Sequence, residues 1–272
     1  MLVVVKPSCS RDITEHVKWL EKEVSSRQLH CHWLYTTGQF ENDVAAIQNF
    51  LGEVSMIVAI GGDGTLHLLA NALANTDIAV AILPAGTGND FARQFNFTLK
   101  QWRALVFSGR PYSIDLGKIN NRFFINIAGV GFNAAVVKDM DTFQSRHKFS
   151  YIFAGIKHLI SFKQISANDR SLMRIFANGK FFAAGLKAAP NAQVNNGELL
   201  MVHFKANSLF NRVWTFLLML FYSHERSQYV STESISEFFI NEPDLLIEAD
   251  GEIVGQSPAL IKVCPAALKV KL

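Results

Sequence analysis

Residues 54–74 read VSMIVAIGGDGTLHLLANALA, and this stretch decides the fold. The apolar run at 54–60 predicts a buried strand, the glycines that follow predict a tight turn, and residues 66–74 predict a helix. A strand that ends in glycines before a helix places backbone N–H groups at the helix N-terminus, where they can hold phosphate oxygens. The stretch therefore predicts an α/β domain with a site suited to a nucleotide.

A second glycine-rich turn follows the next predicted strand. Residues 78–83 are apolar and lead into PAGTGNDFAR at 84–93. Because the carboxyl ends of parallel strands meet at one edge of a sheet, where α/β proteins bind ligands, the two turns are predicted to lie side by side. Together they favour a ligand site over two unrelated turns.

Asp63 is the unusual residue of the first turn. A carboxylate among phosphates repels them unless a divalent cation lies between or the acid performs proton chemistry. The alternative is that Gly-Asp-Gly is only a tight turn in which Asp63 caps the helix. If Asp63 serves chemistry, Asp63→Ala is expected to abolish activity with little loss of fold.

The chain as a whole predicts two domains. Up to residue 118, short β-branched runs alternate with amphipathic stretches, which is typical of βαβ units around a parallel sheet, and we expect a C-terminal strand at 260–272 to complete this domain. From 119 to 259, strand-like segments separated by turn signals predict a mainly antiparallel, β-sandwich-like domain. Its expected strands lie at 123–127, 172–177, 181–188, 199–204, 235–240 and 245–248, with helices near 150–161 and 209–222.

Composition favours an ordered, soluble protein. Of the 272 residues, 49% are apolar and 18% charged, which argues against disorder. The net charge of +3 is too small for a protein that lives on nucleic acid but is compatible with brief visits to an anionic membrane. The three cysteines are widely separated and the apolar run at 1–5 is shorter than a signal-peptide core, so we expect a cytoplasmic protein, with peripheral contact at the inner face of the membrane left open.

The most lipid-like stretch is LFNRVWTFLLMLFY at 209–222. It carries Asn211 and Arg212 and falls short of the ~20 residues that span a bilayer, so it is not predicted to cross one. The pattern favours a buried helix, with a helix that touches a membrane interface as the alternative.

Two further patterns are weak. GVGFNA at 129–134 fits a dinucleotide fingerprint, but no acidic residue follows at the spacing that such a site requires. His30-Cys31-His32 offers two histidines on one face of a strand with no third ligand in reach, which favours a surface strand over a metal site.

The motifs resemble the diacylglycerol kinase catalytic-domain family, which includes bacterial lipid kinases and sphingosine kinases. The resemblance implies a two-domain fold like that of NAD kinases and diacylglycerol kinases, and an enzyme that uses ATP and Mg²⁺ to phosphorylate a hydroxyl of a membrane lipid such as diacylglycerol or a related glycerolipid. It rests on GGDGT at 61–65 and PAGTGNDFA at 84–92, and continues through Asp115, NIAGVGF at 126–132, Ala189-Pro190, DGE at 250–252 and PAAL at 265–268.

The same resemblance implies roles for individual residues. Glu252 matches the family's proton acceptor, since a lipid hydroxyl that attacks the γ-phosphorus needs a carboxylate to take its proton, and Asp63 is the rival for that role. ATP is expected in the cleft between the domains, with Mg²⁺ bridging its phosphates near Asp63. The implied ATP-contacting residues are Thr37, Gly61, Gly62, Asp63, Gly64, Thr65, Leu66, His67 and Thr87.

Two motifs depart from the family's pattern. The loop after the first strand reads KPSCS at 6–10 where the family has Asn-Pro-x-Ser-Gly, which puts ATP contacts there in question. The turn Asn195-Asn196-Gly197 stands where the family places Asp-Asp-Gly or Asn-Asp-Gly in a magnesium site, whose ligands would be Gln193, Asn196 and Glu198. Because Asn196 offers a neutral amide instead of a carboxylate, that metal site is expected to be weakened or absent.

Several alternatives remain open at this point. An NAD kinase shares the Gly-Gly-Asp-Gly loop, although the NDFA and DGE segments favour the lipid branch. A lipid-sensing protein that has lost catalysis is compatible with the two departures. The expected partner is a membrane lipid and not a nucleic acid, whereas a homodimer and the identity of the lipid stay open. The basic residues at 146–148 are a candidate membrane contact, but a solvated face is the favoured interpretation.

Overall fold

The structure, a computed structural model, describes residues 1–7, 10–140, 155, 158, 165, 171–205 and 208–272. It divides into two compact units, one formed by Met1–Ile114 with Ala266–Leu272 and the other by Asp115–Pro265. The predicted fold class is confirmed, because the first unit is built on a parallel sheet flanked by helices and the second on an antiparallel sheet. The predicted helix near 150–161 and the basic residues at 146–148 lie outside the described residues, apart from Gly155 and His158.

The first unit alternates strands and helices. Its strands follow the order β2-β1-β3-β4 and are parallel, and the C-terminal part of β16 adds to β4 in the same direction. Val5 is level with Tyr35 and Ile60, and Gly61 is level with Pro84, so the strands end at one edge. The elements are β1 (Leu2–Val5), α1 (Arg11–Ser26), β2 (His32–Tyr35), α2 (Phe40–Gln48), β3 (Met56–Gly61), α3 (Asp63–Leu73), β4 (Ala79–Pro84), α4 (Asp90–Arg93) and α5 (Leu99–Ser108).

Burial explains why these segments form a parallel sheet. β1, β3 and β4 are continuous apolar runs because both faces of a parallel sheet are covered by helices. Helix α1 contributes Ile13 and Leu20 to this core, and Ser10 begins the helix by accepting a hydrogen bond from the Ile13 N–H at 3.4 Å.

The second unit is mainly antiparallel. One sheet has the strand order β12-β11-β8-β7-β14-β15, while β5 pairs with β6 and β13 pairs with β16. The elements are β5 (Pro111–Ile119), β6 (Arg122–Phe124), β7 (Ile127–Gly131), α6 (Phe132–Met140), β8 (Ser171–Ala177), β9 (Phe181–Phe182), β10 (Leu186–Lys187), β11 (Leu199–Lys205), α7 (Leu209–Leu220), a 3-10 turn (His224–Arg226), β12 (Val230–Ile235), β13 (Glu237–Ile240), β14 (Leu246–Ala249), β15 (Glu252–Gln256) and β16 (Ala259–Lys271).

Three of the predicted strands in this unit are wrong in extent. The segment 123–127 is not one strand, because the chain leaves β6 after Phe124 and its next N–H groups bond to a carboxylate. The segment 181–188 is a short hairpin, since Ala183, Ala184 and Gly185 have positive φ and turn the chain. The segment 235–240 divides at Ser236, because β12 and β13 pair with strands of different sheets.

Helix α7 differs from the buried helix that its composition favours. Thr215, Phe216 and Met219 are buried, but Phe210 and Trp214 are 75% and 49% exposed. In the part of the chain that the structure describes, no helix combines the length and the apolar character needed to cross a membrane.

Candidate functional site

The two glycine-rich turns meet backbone to backbone at the carboxyl edge of the parallel sheet. The Ala85 N–H donates to the Gly61 carbonyl at 2.8 Å. A Cβ on Gly62 would lie 2.8 Å from the Gly86 Cα, and a Cβ on Gly86 would lie 2.5 Å from the Gly62 Cα. Real Cβ atoms do not approach so closely, so glycine is required at both positions, and the predicted neighbourhood of the two turns is present in the structure.

Asp63 joins these two turns. Its carboxylate oxygens accept hydrogen bonds from the N–H groups of Asp90 and Phe91, each at 3.0 Å. Asp63 is the first residue of α3, yet it caps the beginning of α4 on the other turn. It therefore has a structural part in addition to any chemistry, and the expectation that its loss would leave the fold nearly untouched is corrected.

Asn89 shapes the second turn. It lies in the left-handed region at φ 49°, its Oδ1 accepts from the Gly86 N–H at 2.8 Å, and its Nδ2 donates to the Gly86 carbonyl at 2.8 Å. Arg93 adds a hydrogen bond from Nη2 to the Gly88 carbonyl at 2.8 Å. These bonds close the turn on itself and leave Thr87 exposed at its tip.

The N-terminus of α3 has the character of an anion site. Gly62 is its N-cap and provides no side-chain cap, and Gly64 in its first turn is exposed with open space where a Cβ would stand. Backbone N–H groups and the helix dipole favour negative charge at such a point. The three predicted contacts Thr65, Leu66 and His67 have buried side chains, and the N–H groups of Thr65 and Leu66 already donate to the Gly62 carbonyl at 3.0 and 3.2 Å.

A buried aspartate that the sequence analysis missed holds the loop after β2. The Asp43 carboxylate accepts from the Thr37 N–H and hydroxyl, both at 2.8 Å, and from the Gly38 N–H at 3.0 Å. The loop is thereby fixed with Thr37 exposed at the same edge of the sheet as the glycine turns. No local signal distinguishes this residue, because an acidic residue in the first turn of a helix, where Asp43 lies, also interacts favourably with the helix dipole.

Glu252 lies on a separate, strongly braced turn in the second unit. Asp250 and Gly251, with φ of 49° and 85°, form the two-residue turn between β14 and β15. The Asp250 carboxylate accepts three hydrogen bonds, from the N–H groups of Ile125 and Asn126 at 2.9 Å and of Ile127 at 3.1 Å. Glu252 follows immediately on this rigid turn and is exposed.

The buried carboxyl group of Glu248 also supports this turn. Glu248 is buried, and it accepts hydrogen bonds from Asn133 Nδ2 at 2.8 Å and from the Gly251 N–H at 3.2 Å. Burial raises the pKa of the Glu248 carboxyl to about 8. A Cβ on Gly129 would lie 2.2 Å from Asn133 Nδ2, so the glycine leaves room for the contact between Asn133 and Glu248.

The turn at 195–197 brings the three predicted metal ligands together. Asp115 Oδ2 accepts from the Gly197 N–H at 2.7 Å, which fixes the turn. With the amide oriented so that both its atoms are satisfied, the Asn196 nitrogen donates to the carbonyls of Gln193 at 3.0 Å and Glu198 at 3.2 Å. In the opposite orientation the Asn196 oxygen faces the same two carbonyls, as a cation ligand would, so the metal site stays a prediction. Elsewhere in the described residues no three His, Cys, Asp or Glu side chains converge.

The structure places the predicted site residues in two groups. Thr37, the residues 61–67 and Thr87 lie on loops and a helix N-terminus at one edge of the first unit. Glu252 belongs to the second unit, as do Gln193, Asn196 and Glu198. The described loop residues Lys6, Pro7 and Ser10 follow β1, and Ser8 and Cys9 lie outside the described residues.

Comparison with known proteins assigns both parts of the chain. Residues 1–119 match the family model for the diacylglycerol kinase catalytic domain, and residues 126–272 match the YegS C-terminal NAD kinase beta sandwich-like domain. The chain belongs to the diacylglycerol kinase catalytic-domain family of lipid kinases. This membership confirms the resemblance drawn from the motifs.

Individual relatives agree with the family. A protein named "Diacylglycerol kinase" from Mycobacterium tuberculosis is 28% identical over 233 residues, which cover 79% of this chain and 75% of that protein. "Probable lipid kinase YegS-like" from Yersinia enterocolitica is 27% identical and covers 98% of this chain and 94% of that protein. A crystal structure titled as a diacylglycerol kinase from Bacillus anthracis shares the fold with a TM-score of 0.71 at 19% identity, covering 99% of this chain and 95% of that one.

Proposed function

We propose that this member of the family is an ATP-dependent lipid kinase that transfers the γ-phosphoryl group of ATP to a hydroxyl of a membrane lipid, such as diacylglycerol or a related glycerolipid. The observation that carries the proposal is the contact of Gly62 with Gly86 beside the exposed N-terminus of α3. Close backbone approach and a helix N-terminus together are what a chain of phosphates requires.

The first unit would bind the nucleotide. Backbone N–H groups of the two turns would cradle the phosphates, and the exposed Thr37 and Thr87 would contact the nucleotide from the neighbouring loops. Mg²⁺ enters with ATP as part of the substrate and offsets the phosphate charge. The negative charge of Asp63, which two N–H groups already hold in place, suits this cation and would repel a bare phosphate.

Glu252 would take the proton of the acceptor hydroxyl. As the lipid hydroxyl attacks the γ-phosphorus, the O–P bond forms, the bond to the leaving ADP oxygen breaks, and the hydroxyl proton passes to a carboxylate. Glu252→Gln keeps the size of the side chain and removes its proton affinity, so kcat should fall by roughly 10²–10⁴ while ATP affinity changes little. The matched control is Glu237→Gln, an exposed glutamate on β13, which should leave kcat unchanged.

The pH–rate profile separates Glu252 from its rival. If Glu252 is the base, the acidic limb of the parent profile disappears in Glu252→Gln. If this variant keeps the acidic limb and most of the rate, the base lies elsewhere and Asp63 becomes the candidate.

Transfer of label from γ-labelled ATP to a panel of acceptors tests the function itself. The panel contains diacylglycerol, phosphatidylglycerol, sphingosine and NAD, each with the parent and with Glu252→Gln. Label on a lipid, lost in the variant, is the expected result. Label on NAD alone would indicate an NAD kinase, and lipid binding without transfer to any acceptor would indicate a lipid-sensing protein that has lost catalysis.

A further inference from the structure

The loop that follows β2 has all its backbone donors committed within the protein. We call residues 36–39 the β2 loop. Its first N–H group donates to a carbonyl of β1 at 2.9 Å. The next two donate to the Asp43 carboxylate at 2.8 and 3.0 Å, and the last donates to Thr37 Oγ1 at 3.2 Å. A ligand at this loop therefore meets backbone N–H groups that are already bonded.

The side-chain hydroxyl of Thr37 also has its proton committed. It lies 2.8 Å from Asp43 Oδ1, and a carboxylate only accepts hydrogen bonds, so the hydroxyl is the donor. A hydroxyl oxygen has two lone pairs, and the Gln39 N–H uses one of them. Asp43 is buried whereas Thr37 is exposed, so only the threonine is open to a ligand. Thr37 can thus accept a hydrogen bond from a ligand but cannot donate one.

The place of Thr37 on the sheet edge indicates which part of a nucleotide it would meet. Tyr35 of β2 and Ile60 of β3 lie at the same level, and Thr37 and Gly62 are each two residues further on. β1 lies between β2 and β3, and neighbouring strands are about 4.8 Å apart, so the two positions are separated by about 10 Å. β2 is the edge strand, and the base is the end of a nucleotide farthest from the phosphates. With the phosphates at the glycine turns, the base is expected at the β2 loop.

We propose that Thr37 Oγ1 recognises the exocyclic amine of adenine, and that Asp43 sets this specificity by holding the hydroxyl proton. The proposal rests on the proposed function, because it takes ATP as the nucleotide at this edge. Adenine carries a donor where guanine carries a carbonyl oxygen. The adenine amine can donate to Thr37, whereas the guanine oxygen would face another acceptor while the backbone donors of the loop are committed. Asp43 is thus a positioning residue that favours adenine over guanine.

Nucleotide binding in the absence of a lipid tests the proposal. Calorimetry compares the Mg²⁺ complexes of ATP, of GTP and of purine riboside triphosphate, which lacks the exocyclic amine. Thr37→Val and Thr37→Ala remove the acceptor, Thr37→Ser keeps it, and Thr232→Val is the control, since Thr232 is exposed on β12 of the second unit. We expect the parent, Thr37→Ser and the control to bind ATP about two- to tenfold more tightly than purine riboside triphosphate, and at least about tenfold more tightly than GTP. In Thr37→Val and Thr37→Ala the preference for ATP over purine riboside triphosphate should disappear.

Three results would overturn the recognition of the amine. They are equal binding of ATP and purine riboside triphosphate by the parent, an unchanged preference in Thr37→Val and Thr37→Ala, and a preference lost in Thr37→Ser. A preference for ATP over 2′-deoxy-ATP that Thr37→Val removes, with none over purine riboside triphosphate, would overturn it by assigning Thr37 to the ribose.

The outcomes also separate this proposal from the proposed function. If the nucleotides bind with the expected preferences but no lipid is phosphorylated, the role of Thr37 stands and the proposed transfer fails. If a lipid is phosphorylated equally well from ATP and from GTP, the transfer stands and the role of Thr37 fails. A parent that binds none of the nucleotides overturns both.

Discussion

Removing the Asp63 carboxylate should weaken the fold of the first unit and abolish activity, and two substitutions separate these effects. Asp63→Ala removes both acceptors of the Asp90 and Phe91 N–H groups, which are bound at 3.0 Å. A hydrogen bond to a charged group contributes about 1.5–3 kcal/mol, and the half-buried position of Asp63 reduces this, so we expect a loss of about 2–4 kcal/mol in the free energy of unfolding. Asp63→Asn keeps one oxygen acceptor and should lose about half as much.

Urea unfolding and phosphoryl transfer are measured on the same samples. The midpoint should fall in the order parent, Asp63→Asn, Asp63→Ala, whereas both variants should lose phosphoryl transfer because both lack the charge. Asp77→Asn is the control for removing a carboxylate, since Asp77 is exposed and its ion pair with Lys269 lies at the surface. An Asp63→Ala midpoint equal to that of Asp77→Asn would refute the bracing role, and full activity in Asp63→Asn would refute the chemical one.

Three further predictions concern other parts of the two units. The pKa of Glu248 is about 8 in the folded protein against an ordinary 4.5. Its contribution to stability is therefore present below pH 4.5 and is lost as the pH rises through about 8. Over this range the free energy of unfolding should fall by up to about 1.4 kcal/mol per pH unit. Urea unfolding between pH 5 and pH 8 should show this slope reduced in Glu248→Gln, and equal slopes would contradict a buried carboxyl. Gly86→Ala places a Cβ against Gly62 and should weaken ATP binding, measured by calorimetry, by about tenfold or more. The control Gly52→Ala should leave the affinity unchanged, because there is open space around Gly52. Equal ATP affinities of the two variants would disprove the close contact. Asn196→Asp should give the second unit a measurable affinity for Mg²⁺, and a calorimetric trace unchanged from the parent would rule out an inherited metal site.

The parallel part of the fold was predictable because its signals are local. The strands predicted at 54–60 and 78–83 lie within two residues of the observed bounds of β3 and β4, since each is a short apolar run beside a turn signal. In the second unit the partners are distant in sequence, and local pattern fails. The chain leaves β6 because Asp250, more than a hundred residues away, takes the N–H groups of 125–127.

The candidate site was predictable as a set of motifs but not as a set of contacts. The two glycine turns could be placed together because consecutive parallel strands end at one edge. Two sets of hydrogen bonds could not be predicted: those that Asp63 accepts from the second turn and those that Asp43 accepts from Thr37. A carboxylate between glycines or in a helix is equally compatible with a cap, a ligand or a surface group. The exposure of one face of α7 could not be predicted either, since composition alone does not distinguish a core helix from an interfacial one.

Whether ATP phosphates bind where Gly62 meets Gly86 is tested most directly by the backbone amide resonances of the protein during titration with a non-hydrolysable ATP analogue and Mg²⁺. The largest shifts should fall on Gly62, Gly64, Gly86 and Thr87, and at an analogue concentration near the parent's Kd they should be several-fold smaller in Gly86→Ala. Shifts confined to 126–134, or no shifts at 61–67 and 86–89 at saturation, would contradict this prediction.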